Sequence, residues 1–314
     1  MRAMVLAAGF GTRLSPLTNL RPKCLMPVGR RTLLGLWFER LAEWGVSRAV
    51  VNTHHLAAQV RARLQQGWPG LEVVESHETE ILGTGGGLAA ALRPLGESPF
   101  LLINADVAAS VQLPPLLETL SASGALAVLG LKNDARFNTV ALDNKNNLLG
   151  FKHDAGLPLD ANWLTYSGLA AIQPRLLKYL PSKGHSNLVQ GLRNAINNGE
   201  IVRGVELQGF WDDLGTPERL LLLHREIARG ALPELAGRVG QGPKWLAQDS
   251  QIDGHADLQG FVLTGSQVRI EAGALVKNSL LLPGARVLPG VLVQDAILGD
   301  GFTAKADIKG GAHA

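Results

Sequence analysis

The residues best suited to chemistry lie near the start of the chain, where a short apolar run passes directly into a glycine-containing loop. The segment LAAGFGTRLSP covers residues 6–16. Gly9 and Gly11 have no Cβ, so backbone amides there can approach phosphate oxygens closely, and Arg13 adds a forked cation. This combination predicts phosphate binding, whereas a generic turn is the simpler interpretation.

Two familiar phosphate-binding loops do not fit the segment. A Walker loop needs Gly-Lys-Ser/Thr after the turn, and that sequence is absent. The dinucleotide fingerprint needs a third glycine at the position of Leu14 and an acidic residue about 20 positions later. These two kinds of phosphate loop are therefore excluded, and a generic turn stays open as the alternative.

A second cation follows in RPKCLMPVG, where Pro22 and Pro27 stiffen the backbone on either side of Lys23. A lysine held between rigid flanks close to a phosphate loop is suited to neutralising a polyphosphate. An ordinary solvated lysine would need no such flanks.

The two segments together resemble the signature of the sugar-1-phosphate nucleotidyltransferases, the NDP-sugar pyrophosphorylases, which carry LAAG, GTR and a Pro-Lys pair in this order and spacing. The resemblance covers about residues 2–225. It implies an enzyme that makes an NDP-sugar and pyrophosphate from a nucleoside triphosphate and a sugar 1-phosphate. The residues that it assigns to nucleotide binding here are Leu6, Ala7, Ala8, Gly9, Gly11, Thr12, Arg13 and Lys23.

The stretch ETEILGTGGGLAAAL, residues 78–92, is similar to the glycine turn that lies against the nucleotide base in this family. Gly85, Gly86 and Gly87 would let a flat ring approach the backbone. The alternative is a helix start that simply contains glycines.

The resemblance also assigns a Mg²⁺ site. Asp106 follows the apolar strand FLLIN, at the carboxyl edge where ligands of parallel sheets gather, although Ala105 replaces the glycine of the family's Gly-Asp pair. Alignment on Leu-Gly-Thr in GFWDDLGTPERL makes Asp213 the second ligand and Asp212 a second candidate for it. Aspartates that only cap helices are commoner, but Mg²⁺ favours carboxylates combined with phosphate oxygens and water. Arg13, Lys23 and Asp106 are accordingly the expected catalytic residues.

The sugar end departs more from the family pattern. Phe151 stands where the family has a glutamate, and Asn138 stands where many members have a glycine. The residues expected to line the sugar pocket are Asn138, Lys152, Ser167 and Gly168.

The LGTGGG segment with a short C-terminal tail resembles bacterial mannose-1-phosphate guanylyltransferases and their heptose-1-phosphate relatives, which predicts GTP as the nucleotide. N-acetylmuramate-1-phosphate uridylyltransferases are the alternative, because they share similar SGL and GGG segments. A non-catalytic sugar-nucleotide-binding paralogue would lose a metal aspartate or the lysine, and this chain keeps both. An additional acyltransferase activity is a further alternative, but His255 is the only histidine of the tail before His313.

The elements that would position these residues follow from hydrophobic periodicity. Residues 1–229 alternate β-type runs with helix-period segments, which predicts an α/β domain with a Rossmann-like, mostly parallel sheet. Strands are expected at residues 3–7, 49–52, 73–76, 100–104, 125–131, 139–142, 164–172 and 201–205. Helices are expected at residues 32–44, 56–64, 87–92 and 217–229.

The C-terminal part has a different rhythm. Residues 230–250 are rich in Gly and Pro and predict a linker. Residues 251–314 predict a short left-handed parallel β-helix built from hexapeptides, in preference to a small irregular sheet. The tail has too few coils to stand alone, so we expect it to support a homo-oligomer. The aliphatic positions of the rhythm are Val262, Val268, Ala274, Leu280, Val287, Val293 and Ile297.

Composition sets the outer limits. The 314 residues include 30 Lys and Arg against 27 Asp and Glu, a net charge of +3 that gives no support to nucleic-acid binding. A single cysteine, Cys24, excludes an internal disulfide and a structural zinc cluster. No apolar run reaches the ~18 residues of a membrane helix, and these features predict a cytoplasmic protein.

Overall fold

The computed structural model describes residues 1–181 and 183–314, which form two compact units. The first unit contains Met1–Gly9 and Trp37–Asp212, and the second contains Phe10–Leu36 and Asp213–Ala314. The segment that carries Arg13 and Lys23 therefore belongs to the same unit as the C-terminal part of the chain.

The strands before the tail are short and mostly buried. In chain order they are β1 (Arg2–Leu6), β2 (Pro27–Val28), β3 (Arg31–Thr32), β4 (Arg48–Thr53), β5 (Glu72–His77), β6 (Phe100–Asn104), β7 (Val107–Ala109), β8 (Ala127–Lys132), β9 (Val140–Leu142), β10 (Leu148–Phe151), β11 (Asn162–Ile172), β12 (Val202–Glu206) and β13 (Trp211–Asp213).

The α-helices are α1 (Leu33–Glu43), α2 (Ala57–Leu64), α3 (Gly83–Ala90), α4 (Leu92–Leu95), α5 (Pro114–Ser123), α6 (Leu188–Asn197), α7 (Pro217–Ala228) and α8 (Pro233–Val239). Single 3₁₀ turns occur at Thr12–Leu14, Leu17–Asn19, Lys23–Leu25 and Pro174–Tyr179. None of the helices within residues 1–181 and 183–314 combines the length and apolar character needed to cross a bilayer.

The sheet of the first unit is mixed, with a parallel centre. Strand β1 pairs in parallel with β4 and β6, and β4 pairs in parallel with β5. Strand β11 is antiparallel to both β6 and β8, and β12 is parallel to β8. Leu6 aligns with Asn52 on one side and Asn104 on the other. The carboxyl ends of three parallel strands therefore meet at one edge, directly before the loop of Ala7 and the carboxylate of Asp106.

The expected α/β class and most of its early elements are confirmed. The helix expected at residues 32–44 is α1, whose buried Leu33, Leu36, Trp37 and Leu41 follow helical spacing. The region after residue 131 contains more regular structure than expected, because β10 and α6 lie in stretches for which no strand or helix was predicted. Helix α6 begins at Leu188 and is capped by Asn187, whose side chain accepts a hydrogen bond from the backbone N–H of Val189.

The C-terminal part forms stacked parallel strands, as expected for a β-helix. Their register repeats every 17 or 18 residues over the first coils: Gln251 aligns with Arg269, and Arg269 with Arg286. All seven aliphatic positions of the predicted rhythm are buried. The strands are β14 (Lys244–Leu246), β15 (Gln251–Ile252), β16 (Asp257–Thr264), β17 (Arg269–Ile270), β18 (Leu275–Leu281), β19 (Arg286–Val287), β20 (Leu292–Gln294), β21 (Ile297–Leu298), β22 (Thr303–Ala304), β23 (Ile308–Lys309) and β24 (Ala312–His313).

The second unit also ties the β-helix to the segments on which the site depends. Helix α7 packs against β16 and β18. The stretch at residues 230–250, expected to be a linker, contains α8 and β14, because Pro233 starts a helix and Lys244–Leu246 joins the β-helix sheet.

Candidate active site

Two cations converge on one carboxylate in the second unit. The Nη2 atom of Arg13 donates to Oδ2 of Asp213 at 3.0 Å, and Nζ of Lys23 donates to Oδ1 of the same residue at 3.2 Å. The side chain of Lys23 is 11% exposed, whereas that of Arg13 is 57% exposed. Arg13 and Lys23 therefore form one cluster with Asp213, which follows them in the sequence by 200 and 190 positions respectively.

Short 3₁₀ turns set the direction of both cations. Gly11 takes a left-handed conformation with φ of 65°, immediately before the turn that carries Arg13. Its carbonyl accepts a hydrogen bond of 3.0 Å from the hydroxyl of Thr18. Lys23 begins another turn, directly after Pro22. Hydrogen bonds within the loop and the adjoining proline thus hold the backbone from which the two cations extend.

Asp213 is fixed from the other side by the start of α7. Its backbone carbonyl accepts a hydrogen bond of 2.9 Å from Nε of Arg219, and Thr216 caps the helix by accepting from the backbone N–H of Arg219. Asp212, the second candidate, is 6% exposed and belongs to the first unit. Asp213 is therefore the aspartate that faces the two cations.

The cluster of Arg13, Lys23 and Asp213 carries a formal charge of +1. Each cation interacts with the same carboxylate, so an anionic ligand with several oxygens can replace it on both. Because Lys23 is largely shielded from water, its attraction to such a ligand is weakened less by solvent and salt than that of a surface lysine. Phosphate groups match this arrangement.

The first part of the predicted nucleotide loop continues β1 in the first unit. The backbone N–H of Ala7 donates to Oδ1 of Asn52 at 2.7 Å, which holds the loop against the end of β4. Gly9 is exposed, and no atom lies within 4 Å of the position that a Cβ would take there. The backbone at Gly9 is thus open to a ligand, as are the exposed residues Thr12 and Arg13 of the second unit.

Asp106 lies at the expected edge of the sheet in the first unit. It follows β6 by two residues, and the backbone N–H of Ala105 donates to the carbonyl of Leu6 at 3.0 Å. Ala105 is buried and Asp106 is half-buried. The replacement of the family's glycine by Ala105 therefore leaves the carboxylate at the edge.

The structure gives another reason for the three glycines at residues 85–87, all of which are buried at the start of α3. A Cβ at Gly85 would lie 2.7 Å from Oγ of Ser186, and one at Gly86 would lie 2.5 Å from the carbonyl oxygen of Gly184. The N–H of Gly85 also donates to the carbonyl of Ser186 at 2.9 Å. The positions that a Cβ would take at these glycines are filled by other protein atoms, among them those of residues 184–187 at Gly85 and Gly86 and those of Asn52 and Glu78 at Gly87.

The residues expected at the sugar end differ in how far they are engaged with protein. The hydroxyl of Ser167 donates to the carbonyl of Gly130 at 2.6 Å, and Gly168 has a φ of 79° at an irregularity in β11. The Oδ1 atom of Asn138 accepts from the hydroxyl of Thr165 at 2.8 Å. Lys152 is exposed, at the end of β10.

Tyr166, which directly precedes Ser167 and Gly168, is a further polar residue at this end. Among the described residues its hydroxyl has no hydrogen-bond partner, although it is buried. Burial raises the pKa of the Tyr166 hydroxyl above its usual value, so the group stays protonated and able to donate. Asn52 and Glu78 are two more buried polar residues to which the sequence analysis assigned no role.

Comparison with known proteins decides the family. Residues 2–230 match the nucleotidyl transferase family. The chain belongs to this family. The resemblance to sugar-1-phosphate nucleotidyltransferases is thereby confirmed, and the protein is a transferase.

Two relatives of this nucleotidyl transferase show how its members vary. It is 32% identical to N-acetylmuramate alpha-1-phosphate uridylyltransferase from Caulobacter vibrioides, over 72% of this chain and 96% of the relative. It is 25% identical to mannose-1-phosphate guanylyltransferase from Mycobacterium tuberculosis, over 93% of this chain and 82% of the relative. The names of these relatives differ in both nucleotide and sugar.

A solved structure has the same fold. The crystal structure of HddC from Yersinia pseudotuberculosis complexed with GMP-PN superposes with a TM-score of 0.59 and 19% sequence identity. The similarity covers 71% of this nucleotidyl transferase and 97% of that chain.

Enzymes of this family generally use a divalent metal ion. Among the described residues, no group of three or more His, Cys, Asp or Glu side chains is placed to hold one. The predicted donors are the single carboxylates Asp106 and Asp213, and such donors suit an oxygen-preferring ion that takes most of its ligands from phosphate and water. The donor chemistry therefore fits Mg²⁺ and does not fit a protein-enclosed zinc site.

Proposed function

We propose that the protein transfers a guanylyl group from GTP to mannose 1-phosphate, or to a heptose 1-phosphate, and releases pyrophosphate. The observation that carries this proposal is the convergence of Arg13 and Lys23 on Asp213. Two preorganised cations on one exchangeable carboxylate are suited to a triphosphate, whose binding replaces Asp213 on both.

The reaction requires alignment of two anionic substrates. A phosphate oxygen of the sugar 1-phosphate attacks the α-phosphorus of the nucleotide, and the bond from this phosphorus to the bridging oxygen breaks as pyrophosphate leaves. Arg13 and Lys23 offset the repulsion between the substrates and stabilise the negative charge on the departing pyrophosphate. No covalent intermediate with the protein is needed.

We propose Asp106 and Asp213 as the protein ligands of Mg²⁺. When Arg13 and Lys23 bind phosphate, the carboxylate of Asp213 becomes available to a metal ion. Mg²⁺ would neutralise part of the charge on the triphosphate. Asp106 would contribute its carboxylate from the carboxyl edge of the parallel strands.

We propose that Gly85, Gly86 and Gly87 belong to the nucleotide site, where their small size lets α3 pack closely against the protein around it. At the sugar end, Lys152 is the best placed of the predicted residues, because it is exposed. Asn138, Ser167 and Gly168 would act by shaping the backbone around the sugar, since the hydroxyl of Ser167 and the amide of Asn138 are bonded to protein.

The guanylyl proposal is supported by the Mycobacterium relative, whose similarity extends through the C-terminal tail. The second candidate is N-acetylmuramate 1-phosphate uridylyl transfer, favoured by the higher identity of the Caulobacter relative. Release of pyrophosphate from each of four nucleoside triphosphates, paired with mannose, heptose, glucose and N-acetylmuramate 1-phosphates, distinguishes them. GTP with mannose or heptose 1-phosphate supports the proposal, and a preference for UTP overturns the guanylyl assignment.

We also propose that the tail assembles the protein into a homo-oligomer. In the described residues, β23 ends the order β14-β16-β18-β20-β23 and pairs with β20 alone, which leaves an edge available for another chain. Light scattering at micromolar concentration is expected to give a multiple of 33.4 kDa. A monomeric mass would contradict this proposal.

A further inference from the structure

One buried pair of side chains connects the start of the phosphate loop with the start of the glycine helix. The N–H of Ala7 donates to Oδ1 of Asn52 at 2.7 Å, and Nδ2 of Asn52 donates to Oε1 of Glu78 at 2.7 Å. The second oxygen of Glu78 accepts from the N–H of Leu82 at 2.9 Å. Three consecutive hydrogen bonds thus run from the end of β1 to the residue before α3.

The pair lies in the interior, where its polar atoms depend on one another. Asn52 is 3% exposed and Glu78 is 2% exposed. A buried donor or acceptor that loses its partner forfeits the solvation that it had in the unfolded chain. Loss of any one of these hydrogen bonds would therefore leave a buried polar atom without its partner.

Packing against α3 makes the connection rigid. A Cβ at Gly87 would lie 2.6 Å from Oε1 of Glu78 and 2.7 Å from Nδ2 of Asn52, so the helix backbone rests directly on both side chains. The backbone of Glu78 is also held, because its N–H donates to the carbonyl of Thr53 at 2.8 Å. Movement of the pair would move the start of the helix with it.

We propose that Asn52 and Glu78 are positioning residues that hold the phosphate loop at Ala7 and the glycine helix at Leu82 in one fixed relation, so that a nucleoside triphosphate is bound through both segments at once. This inference rests on the proposed function for the identity of the ligand. Both oxygens of Glu78 are engaged with protein, so the pair acts through the backbone that it orients and does not touch the reacting atoms.

The chemistry of the pair supplies a direct test by exchange of the amide and the carboxylate. In Asn52→Asp, two carboxylates face each other. In Glu78→Gln, the new side-chain NH₂ group replaces one of the two carboxylate oxygens. This donor then faces another donor, which is either Nδ2 of Asn52 or the N–H of Leu82. In the double variant, the carboxylate now at position 52 accepts from the N–H of Ala7 and from the amide now at position 78. The oxygen of that amide accepts from the N–H of Leu82, so every donor meets an acceptor again.

Each single variant is expected to raise the KM for the nucleoside triphosphate about tenfold and to leave the KM for the sugar 1-phosphate unchanged. The double variant is expected to return to within about threefold of the wild type. A double variant no better than the single variants would overturn the proposal. Single variants that lower only thermal stability would also overturn it, because the role would then be structural.

Thr53→Val is a matched control. In the wild type, the hydroxyl of Thr53 donates to Oε1 of Glu75 at 2.7 Å. The variant therefore breaks a hydrogen bond between the neighbouring strands β4 and β5 without involving Ala7 or Leu82. It is expected to reduce stability and to leave the KM for the nucleotide unchanged. An equal rise in the KM for this variant would show that any loss of bonding between β4 and β5 has the same effect, and would contradict the proposal.

Amide hydrogen exchange of the full chain separates this inference from the proposed function. The N–H groups of Ala7 and Leu82 are expected to be protected in the wild type, to exchange faster in each single variant and to regain protection in the double variant. If the wild type binds GTP or UTP but releases no pyrophosphate, the proposed function fails, and the Kd for that nucleotide replaces the KM. If the wild type binds neither nucleotide, the inference fails as well.

Discussion

Gly215 leaves the space that the guanidinium group of Arg13 occupies. A Cβ at position 215 would lie 2.5 Å from Nη1 and 2.6 Å from Cζ of Arg13, closer than such atoms approach in proteins. The glycine of the Leu-Gly-Thr motif thus has a packing reason, because it allows Arg13 to reach Asp213.

Gly215→Ala is expected to displace Arg13 and to lower kcat/KM for the nucleoside triphosphate by about tenfold or more, because the guanidinium group loses its position against Asp213. Pyrophosphate release measures the effect. Gly237→Ala in α8 is the matched control, since no atom lies within 4 Å of its Cβ position, and it is expected to keep full activity. Wild-type kinetics in Gly215→Ala would show that Arg13 does not need this space.

A salt bridge joins the segment before Lys23 to the β-helix. The Nε atom of Arg21 donates to Oδ2 of Asp300 at 3.0 Å, and Nη2 bonds to the other oxygen. Asp300→Ala is expected to destabilise the protein by about 1–2 kcal/mol, because a two-bonded, partly buried arginine loses its partner. It is also expected to lower kcat/KM by about threefold or more, since Lys23 is two residues away. Thermal unfolding and pyrophosphate release test these effects.

The control for this salt bridge is Glu271→Ala, which removes a pair with Arg286 inside the β-helix. It is expected to leave kcat/KM unchanged. If Asp300→Ala and Glu271→Ala have equal effects on activity, the connection from the tail to the Lys23 segment has no functional role.

Stability is expected to fall with acidity because of His224. Complete burial lowers the pKa of His224 from 6.5 to about 4, and Nε2 accepts a hydrogen bond of 3.1 Å from the N–H of Gly29. The unfolded chain takes up this proton at higher pH than the folded protein does. His224 therefore contributes about 3 kcal/mol to the free energy of unfolding above pH 6.5, and this contribution is lost as the pH falls to about 4.

Urea unfolding at several pH values across this range measures the effect. His224→Gln has no titrating ring, so its free energy of unfolding is expected to decline less steeply between pH 6.5 and about 4. Parallel declines in the two proteins would mean that other groups cause the loss of stability.

Much of the fold was predictable because periodicity is a local property. The apolar residues of α1 recur at helical spacing, and the structure confirms this helix. The six-residue rhythm of the tail marks positions such as Val268 and Val287, and these residues are buried. Helix α6 escaped prediction although its buried residues, which are Leu188, Gly191, Leu192 and Ala195, follow helical spacing. Gly191 and Ala195 weaken the apolar signal of that face. The structure shows that this glycine gives room to Leu180, to which a Cβ would come within 2.5 Å.

The candidate site was predictable only in part. The resemblance to known motifs selected Arg13, Lys23 and Asp213, whose contact across some 190–200 residues no local pattern contains. The packing around Gly85 and Gly86 could not be predicted, because their neighbours at residues 184–187 are distant in sequence. Asn52 gave no signal, since an isolated amide matches no motif, and Glu78 begins the segment at residues 78–92 without having been assigned a role of its own.

Removal of divalent metal is expected to stop turnover. Chelation by excess EDTA should reduce pyrophosphate release to background, and Mg²⁺ in excess should restore it, because the charge of the triphosphate is then compensated again. Asp106→Asn is expected to need more Mg²⁺ than the wild type. Full activity in EDTA, or an unchanged Mg²⁺ requirement in Asp106→Asn, would contradict the metal assignment.

The most direct test of the central claim is pyrophosphate release by Lys23→Ala beside the wild type, with Lys145→Ala as a control for loss of an exposed lysine. We expect the wild type to release pyrophosphate from one nucleotide and sugar 1-phosphate pair, and Lys145→Ala to match it. Lys23→Ala should be slower by about a hundredfold or more, because a preorganised charge on the polyphosphate is lost. Release by Lys23→Ala at the wild-type rate would contradict the account.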